Sequence, residues 1–373
     1  MRPRNRDGRA TREWGAEMID LDDIAVLERI DSEDVLGAVE RFSEQVERGW
    51  AIGRAAGGLP AASGLDSVAL LGMGGSGVSG DVVQAVIEPR LPIPWRTIKS
   101  YGPLPEWVGR NTLVFAVSYS GSTEETLSAV IEAQERGARA VAVSSGGPLK
   151  DFASENGLAH IEIPTGLQPR ASLGYLTLPI LAALVEIGLV PDMQDDVDEA
   201  VGVLRTIEQR CHRDRSRSEN PAKDLASRIT GKVPVVYGGH GLGAVAAYRF
   251  KCDLNEYGKT PAFWNEFPEL NHNEIVGWNR LEDVTKERFV GILLRAADEH
   301  SRIELRFEIT RSLIEDSFSE WIEVPAEGQT PLTQLLSLIL ITQLAAIYVG
   351  LSYEVDPGPV EVIQNLKKQL AER

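Results

Sequence analysis

Two short apolar segments of this sequence each lead into a loop of small residues and then into a helix. The first covers residues 68–73 and runs into the glycine-rich segment GMGGSGVSG at 72–80. The second covers residues 113–117 and is followed by SYSGSTEET at 118–126. A strand that turns through such a loop into a helix is the repeating unit of parallel α/β sheets. The pattern therefore predicts a parallel sheet whose strand-end loops share one edge, where ligands bind.

The alternation of strands and helices continues through the first half of the chain and recurs in the second half. Further strands are predicted at 95–98, 140–143 and 160–163, and then at 233–237, 289–294 and 321–324. The fold class that follows is α/β, with two doubly wound parallel-sheet domains and helices at both ends of the chain. We predict an N-terminal domain at 18–192, which begins with a helical segment, and a C-terminal domain at 193–373, which ends in a helix.

The first residues of the chain do not fit this pattern. Residues 1–17 are rich in Arg and lack an apolar segment, so we expect a disordered tail and no secretory signal. Met18 is an alternative start, because the periodic pattern begins there. The most apolar stretch, at 335–351, is interrupted by polar residues, so it predicts a buried core helix and no transmembrane span.

Charge and cysteine content limit the classes of partner. The net charge of −17 disfavours binding to nucleic acid or to an anionic membrane. An anionic small molecule would have to be held locally, by backbone N–H groups, hydroxyls and a few cations. The only cysteines, Cys211 and Cys252, lack disulfide-framework or metal spacing, so we expect a reducing, cytoplasmic compartment and no metal site.

The segment SYSGSTEET brings several hydroxyl groups to the start of a helix. Hydroxyls and free N–H groups at a helix N-terminus make a phosphate cradle that needs no Lys. We expect one hydroxyl, that of Ser122 or Thr123, to serve as the helix N-cap. The glycine-rich segment after the earlier strand lets the backbone approach the same ligand. The candidate phosphate-binding residues are Gly75, Ser76, Ser118, Ser120 and Thr123.

These motifs resemble the signature of sugar isomerase (SIS) domains. In that signature GGSG is followed about 40 residues later by SxSGxTxET, as it is here. Two further segments, QPRASLGY at 168–175 and KCDLNEYGKTPAFWNEFPELNHNEIVGW at 251–278, resemble PRxxxGY and LNExxK…PELxHNE of the bifunctional phosphoglucose/phosphomannose isomerase family. The likeness extends over about residues 30–370. It implies flavodoxin-like SIS domains and a sugar-phosphate substrate.

The resemblance also implies roles for four side chains. Glu256 would be the base that moves a proton between C1 and C2, and Arg170 would stabilise the enediolate. His272 would act in ring opening with Lys367, which lies in a family-like LKxxL pattern. Aldose–ketose isomerisation needs such a base and no cofactor, because the carbonyl of the substrate acidifies the neighbouring C–H bond. Three other carboxylates in the same segment are rivals for the base: Glu266, Glu269 and Glu274.

The resemblance implies a homodimer in which His272 reaches the active site from the second subunit. One departure bears on specificity, because the family's DPTPV is DPGPV here and Gly358 replaces Thr. If that Thr helps to admit the mannose epimer, activity on both sugars is an open question. Two alternatives also stay open: a sugar-phosphate sensor without turnover, and an isomerase of another phosphosugar, such as an amino sugar.

Overall fold

A computed structural model describes residues 19–297 and 299–372, so the predicted tail at 1–17 and Met18 lie outside the described residues. The described part begins with three helices and then alternates strands and helices. The elements of the first half are α1 (Ile24–Ile30), α2 (Val35–Val39), α3 (Phe42–Arg54), β1 (Ser67–Leu71), α4 (Gly74–Ile87), β2 (Trp95–Ile98), β3 (Thr112–Val117), α5 (Glu124–Glu135), β4 (Arg139–Ser144), α6 (Gly147–Glu155), β5 (Ala159–Glu162) and α7 (Leu173–Glu186).

The first sheet is parallel, with strand order β2-β1-β3-β4-β5. Buried apolar strands of this kind need helices on both faces, and α7 and α5 cover opposite faces. After β1 the chain crosses to β2 on one side of the sheet, and after β3 it crosses to β4 on the other side. The gap between β1 and β3 is therefore the topological switch point. The loops that follow β1 and β3 therefore meet at one edge, as the sequence predicts.

The second half of the chain repeats this arrangement with one strand fewer among the described residues. Its elements are α8 (Gln194–Cys211), α9 (Pro221–Ile229), β6 (Val233–Gly239), α10 (Leu242–Glu256), β7 (Phe263–Phe267), α11 (Glu274–Gly277), α12 (Glu282–Arg288), β8 (Phe289–Arg295), α13 (Ser301–Ile314), β9 (Glu320–Pro325), α14 (Pro331–Ser352) and α15 (Glu361–Ala371). The sheet is parallel, with order β7-β6-β8-β9. Together the two sheets confirm the predicted fold class.

Strand β7 was not predicted, because its sequence, FWNEF, is not a continuous apolar segment. It lies at the edge of its sheet and pairs only with β6 among the described strands. Phe263 and Trp264 are exposed, and Asn265 and Glu266 are half-buried. An edge strand has one unpaired side, so its side chains need not follow the pattern of a buried strand.

Helix α14 joins the two halves and positions the helix that carries the candidate base. It begins at a Thr330 cap, with Pro331 in the first turn. It is long and apolar enough to cross a membrane, yet its whole apolar window is buried inside the protein, which confirms the predicted core helix. It packs against α8, α9 and α10, and α10 also contacts α4 of the first half. The end of α10 is thereby held against the first domain.

Candidate functional site

The loop after β3 brings its hydroxyl groups together. Ser118 Oγ and Thr123 Oγ1 lie 2.8 Å apart, and Ser120 Oγ lies 2.9 Å from Ser122 Oγ. The turn requires glycine at Gly121, because its φ is +69° and a Cβ there would lie 1.8 Å from the carbonyl oxygen of Gly146. Ser118 is buried while Ser120 is exposed, so the hydroxyls lead from the strand end toward solvent. This arrangement suits an oxyanion bound at the N-terminus of α5.

The predicted N-cap role is only partly correct. Thr123 does occupy the N-cap position of α5, but within the described residues its side chain accepts no hydrogen bond from a helix N–H group. Its hydroxyl is paired with Ser118 Oγ instead. The predicted N-cap position is therefore correct, but the hydroxyl does not cap the helix. The first N–H groups of α5 consequently keep the capacity to bind an anion.

The glycine-rich turn after β1 connects the cradle to Arg170. The Ser76 hydroxyl is buried and accepts a hydrogen bond from the Tyr119 N–H at 3.3 Å. On the other side, a Cβ added to Gly75 would lie 3.0 Å from the carbonyl oxygen of Pro169 and 3.4 Å from the Cα of Arg170. Close packing at Gly75 thus places the segment that carries Arg170 beside the hydroxyl loop.

Arg170 lies in a short 3-10 turn, Pro169–Ala171, and its side chain is only 7% exposed. Its guanidinium group stacks over the ring of Tyr257, 5.0 Å from the ring centroid. Its Nη1 lies 3.7 Å from Glu256 Oε2, while Nη2 donates to the carbonyl oxygens of Pro357, at 3.0 Å, and Gly358. In the described part of the chain the buried Nε has no hydrogen-bond partner. One donor of the buried guanidinium is therefore unsatisfied in the described structure.

Glu256 is the last residue of α10, and its side chain is 30% exposed. A carboxylate at this position contacts Arg170 and is also partly accessible to solvent. One turn earlier on the same helix, Asp253 is buried and forms an ion pair with Arg249 at 2.8 Å. Burial raises the pKa of Asp253 to about 7, and the charge of Glu256 adds to the rise, whereas Arg249 opposes it.

Lys259, the Lys of the LNExxK motif, is a further residue of this site that has no role among the sequence-based predictions. Its backbone is left-handed, with φ of +49°, which turns the side chain back toward the end of α10. Its Nζ donates to the carbonyl oxygen of Glu256 and to that of Pro359 at 2.7 Å. Burial lowers the pKa of Lys259, and the nearby charge of Arg170 lowers it further. Lys259 and Arg170 together fasten the loop at 356–360 to the site.

The predicted ring-opening residues are not joined to Glu256 and Arg170 by contacts in the described structure. His272 ends a 3-10 turn, Glu269–His272, just after β7, and it is exposed. Lys367 is exposed on α15. Among the described residues, neither side chain has a hydrogen-bond or ion-pair partner. The structure thus brings together the cradle, Arg170 and Glu256, and their roles, like those of His272 and Lys367, stay predictions.

The three rival carboxylates lie in other surroundings. Glu266 Oε2 is 3.4 Å from His240 Nδ1, and Glu269 accepts a hydrogen bond from Asn273. Glu274 accepts hydrogen bonds from the Tyr237 hydroxyl at 2.5 Å and from Asn265 at 2.7 Å. Of the four candidate bases, Glu256 is the one within 4.0 Å of the Arg170 guanidinium in the described structure.

Comparisons with known proteins agree with the two-sheet architecture. Residues 66–187 match the family model described as SIS domain, and residues 218–370 match the bacterial phospho-glucose isomerase C-terminal SIS domain. The chain is similar to a bifunctional phosphoglucose/phosphomannose isomerase of Caldicellulosiruptor bescii, with 37% identity over 90% of this chain and 98% of that protein. It is also similar to a D-glucosamine-6-phosphate 4-epimerase of Sulfolobus acidocaldarius, with 30% identity over 83% of this chain and 91% of that protein.

A solved structure supports the same fold. The crystal structure of a glucose-6-phosphate isomerase-like protein from Thermus thermophilus superposes with a TM-score of 0.60. The alignment covers 94% of this chain and 99% of that chain, at 20% sequence identity. At this level of identity the likeness concerns the fold, and the chemistry has to be argued from the site itself.

Proposed function

The chain belongs to the bifunctional phosphoglucose/phosphomannose isomerase family, a family of phosphosugar isomerases, and we propose that it converts glucose 6-phosphate, mannose 6-phosphate or both to fructose 6-phosphate. One observation carries this proposal. The carboxylate of Glu256 lies 3.7 Å from the Arg170 guanidinium, whose segment packs against the glycine-rich turn beside the hydroxyl loop. A base, a cation and an anion cradle are the groups that this reaction requires.

In the proposed mechanism the hydroxyl loop and the N-terminus of α5 hold the phosphate group. Glu256 removes the proton from C2 of the open-chain aldose, and the electron pair moves onto the carbonyl oxygen O1. Arg170 stabilises the negative charge on the resulting cis-enediolate. The proton of the O2 hydroxyl then moves to O1, which becomes the C1 hydroxyl. C2 and O2 form the ketose carbonyl as Glu256 returns its proton to C1. His272 and Lys367 would open the sugar ring before these steps.

The test of this function is a coupled assay of the purified protein with glucose 6-phosphate and with mannose 6-phosphate. We expect formation of fructose 6-phosphate from at least one of them. Because Gly358 replaces the Thr of the family pattern, the ratio of the two rates shows whether both sugars are accepted. Binding of either sugar phosphate without turnover would contradict the proposal and favour a sensor.

A second candidate function is action on an amino sugar phosphate. It is favoured by the 30% identity to a protein named D-glucosamine-6-phosphate 4-epimerase. Glucosamine 6-phosphate therefore belongs in the same assay, with the products separated by chromatography. Turnover of glucosamine 6-phosphate alone would replace the neutral-sugar proposal with this one.

Removal of one hydroxyl from the cradle is expected to weaken binding of the substrate phosphate. Thr123→Val keeps the shape of the side chain but removes the oxygen that now lies 2.8 Å from Ser118 Oγ. Loss of one hydrogen bond to a charged group costs ~1.5 kcal/mol or more, so KM should rise at least about tenfold. The matched control is Thr126→Val, because the buried Thr126 hydroxyl has no hydrogen-bond partner in the described structure. Equal increases of KM in both variants would contradict a binding role for Thr123.

We also propose that the active form is a homodimer. The last helix, α15, presents an exposed apolar row at helical spacing, formed by Ile363, Leu366 and Leu370. Phe263 and Trp264 on the edge strand β7 are exposed as well. Apolar surface of this kind is suited to a second copy of the chain, and His272 lies just beyond β7. In the dimer, His272 would enter the site of the other subunit.

Mixing two inactive variants tests whether His272 acts across the interface. Glu256→Gln and His272→Gln subunits are co-expressed with different tags, and the hybrid dimer is purified. If His272 serves the other subunit, one of the two sites in each hybrid retains both residues, and about half of the wild-type activity should return. If His272 serves its own subunit, each site in the hybrid lacks one residue and activity stays at the level of the parent variants.

A further inference from the structure

The backbone carbonyl oxygen of Arg170 accepts two hydrogen bonds from buried side chains of the second domain. Arg249 Nη2 donates to it at 2.6 Å and Gln343 Nε2 donates to it at 3.0 Å. Arg249 lies on α10 and Gln343 on α14, and both side chains are almost completely buried. Gln343 Nε2 also lies 3.2 Å from the hydroxyl of Tyr257, whose ring supports the Arg170 guanidinium.

Helix α10 carries Arg249, Asp253 and Glu256 on one face, because positions i, i+4 and i+7 of a helix are aligned. Arg249 binds both oxygens of Asp253, each at 2.8 Å, and this fixes the guanidinium along the helix. Its Nη2 also reaches across to the Arg170 carbonyl. The helix that carries the candidate base is thus joined to the backbone of Arg170, the candidate catalytic cation.

Stability alone does not account for this arrangement. In a fully buried ion pair such as Arg249–Asp253, the electrostatic attraction offsets little more than the free-energy cost of removing both charges from water. The Arg170 carbonyl could be satisfied by one donor, yet it receives two, from different helices. What the two donors restrict is the position of the Arg170 backbone relative to Glu256.

We propose that Arg249 and Gln343 are positioning residues, which hold the Arg170 backbone so that its guanidinium stays 3.7 Å from Glu256 Oε2 and does not close a tight ion pair. A carboxylate in a close bidentate ion pair is a weaker base, and an arginine so paired has fewer donors for the enediolate. The separation keeps both groups available for the reaction. This inference rests on the proposed isomerase function and concerns how the same site is assembled.

The test compares Gln343→Met with a matched control, Gln45→Met. Gln45 is also buried, and its Nε2 donates to the carbonyl oxygen of Ala171, the residue next to Arg170, at 2.8 Å. Each variant therefore loses one buried side-chain donor. Gln343→Met loses the donor to the Arg170 carbonyl oxygen, and Gln45→Met loses the donor to the Ala171 carbonyl oxygen. We expect Gln343→Met to lower kcat about tenfold or more while KM stays within about threefold, since small misplacement of reacting groups slows chemistry more than binding. Gln45→Met should keep kcat within about twofold of wild type.

Two further measurements separate positioning from a loss of folding. With substrate deuterated at C2, the isotope effect on kcat should increase in Gln343→Met, because proton transfer becomes rate-limiting. Arg249→Lys retains a charge for Asp253 but lacks the planar set of guanidinium donors. It should likewise lower kcat while KM changes little. If Arg249→Lys fails to fold, Gln343→Met decides the matter.

Several results would overturn the inference. Equal losses of kcat in Gln343→Met and Gln45→Met, a loss confined to KM, or unchanged kinetics in Gln343→Met would each do so while leaving the isomerase function intact. A wild-type protein that turns over no sugar phosphate would instead refute the proposed function, together with the inference that rests on it. The wild-type assay therefore distinguishes the two failures.

Discussion

Glu256→Gln is expected to lower kcat by about 10³-fold, within the range observed when a general base is removed. The amide has nearly the shape of the carboxylate, and it keeps a polar contact with Arg170, so KM should change little. It cannot accept the proton from C2, however. Because Glu256 ends α10 and is 30% exposed, the variant should unfold at nearly the same temperature as the wild type. The measurements are kcat in the coupled assay and exchange of the C2 proton with solvent.

The rival carboxylates provide the controls for this experiment. Glu266→Gln and Glu269→Gln alter residues that contact His240 and Asn273, away from the Arg170 guanidinium. Each should retain wild-type proton exchange at C2. If either of them abolishes that exchange while Glu256→Gln does not, the base has been assigned to the wrong residue.

Arg170→Met is expected to lower kcat by about 10²–10³-fold, the effect of removing one strong donor from a developing oxyanion. The side chain is almost fully buried beside Glu256 and stacks on Tyr257, so its charge acts in a site with little water to screen it. Arg170→Lys should recover part of the activity, because it retains the charge but not the planar set of donors. Values of kcat and KM for the two variants, with their unfolding temperatures, check this prediction.

Arg170 also fastens the loop at 356–360, and this second role needs a control. Lys259→Met removes a second cation that holds the loop, since Lys259 Nζ donates to the carbonyl oxygen of Pro359 at 2.7 Å. If Arg170 acts through its charge, the loss of kcat in Lys259→Met should be much smaller than that in Arg170→Met. Equal losses would mean that loop attachment, and not charge stabilisation, explains the effect of Arg170.

Much of the fold follows from local patterns in the sequence. The apolar segments at 113–117 and 233–237 form central strands, and 335–351 lies inside the buried helix α14. Strand β7 could not be predicted in this way, because its edge position depends on pairing with β6, which the local sequence does not specify. Thr123 occupies the predicted N-cap position of α5, but its hydroxyl does not cap the helix, for a related reason. The Thr123 hydroxyl pairs with Ser118, a contact set by the path of the whole loop.

The sequence by itself determined the glycine-rich loop, the hydroxyl loop and, apart from β7, the alternation of strands and helices, because each depends on neighbouring residues. It also identified Arg170 and Glu256, through motifs that resemble those of a known family. Only the tertiary structure decided that these two side chains lie 3.7 Å apart and that Lys259 shares their surroundings. The physical reason is that this distance is set by the packing of α10 against α14 and by buried donors to the Arg170 backbone. Such contacts join residues far apart in the chain, and no local pattern encodes them.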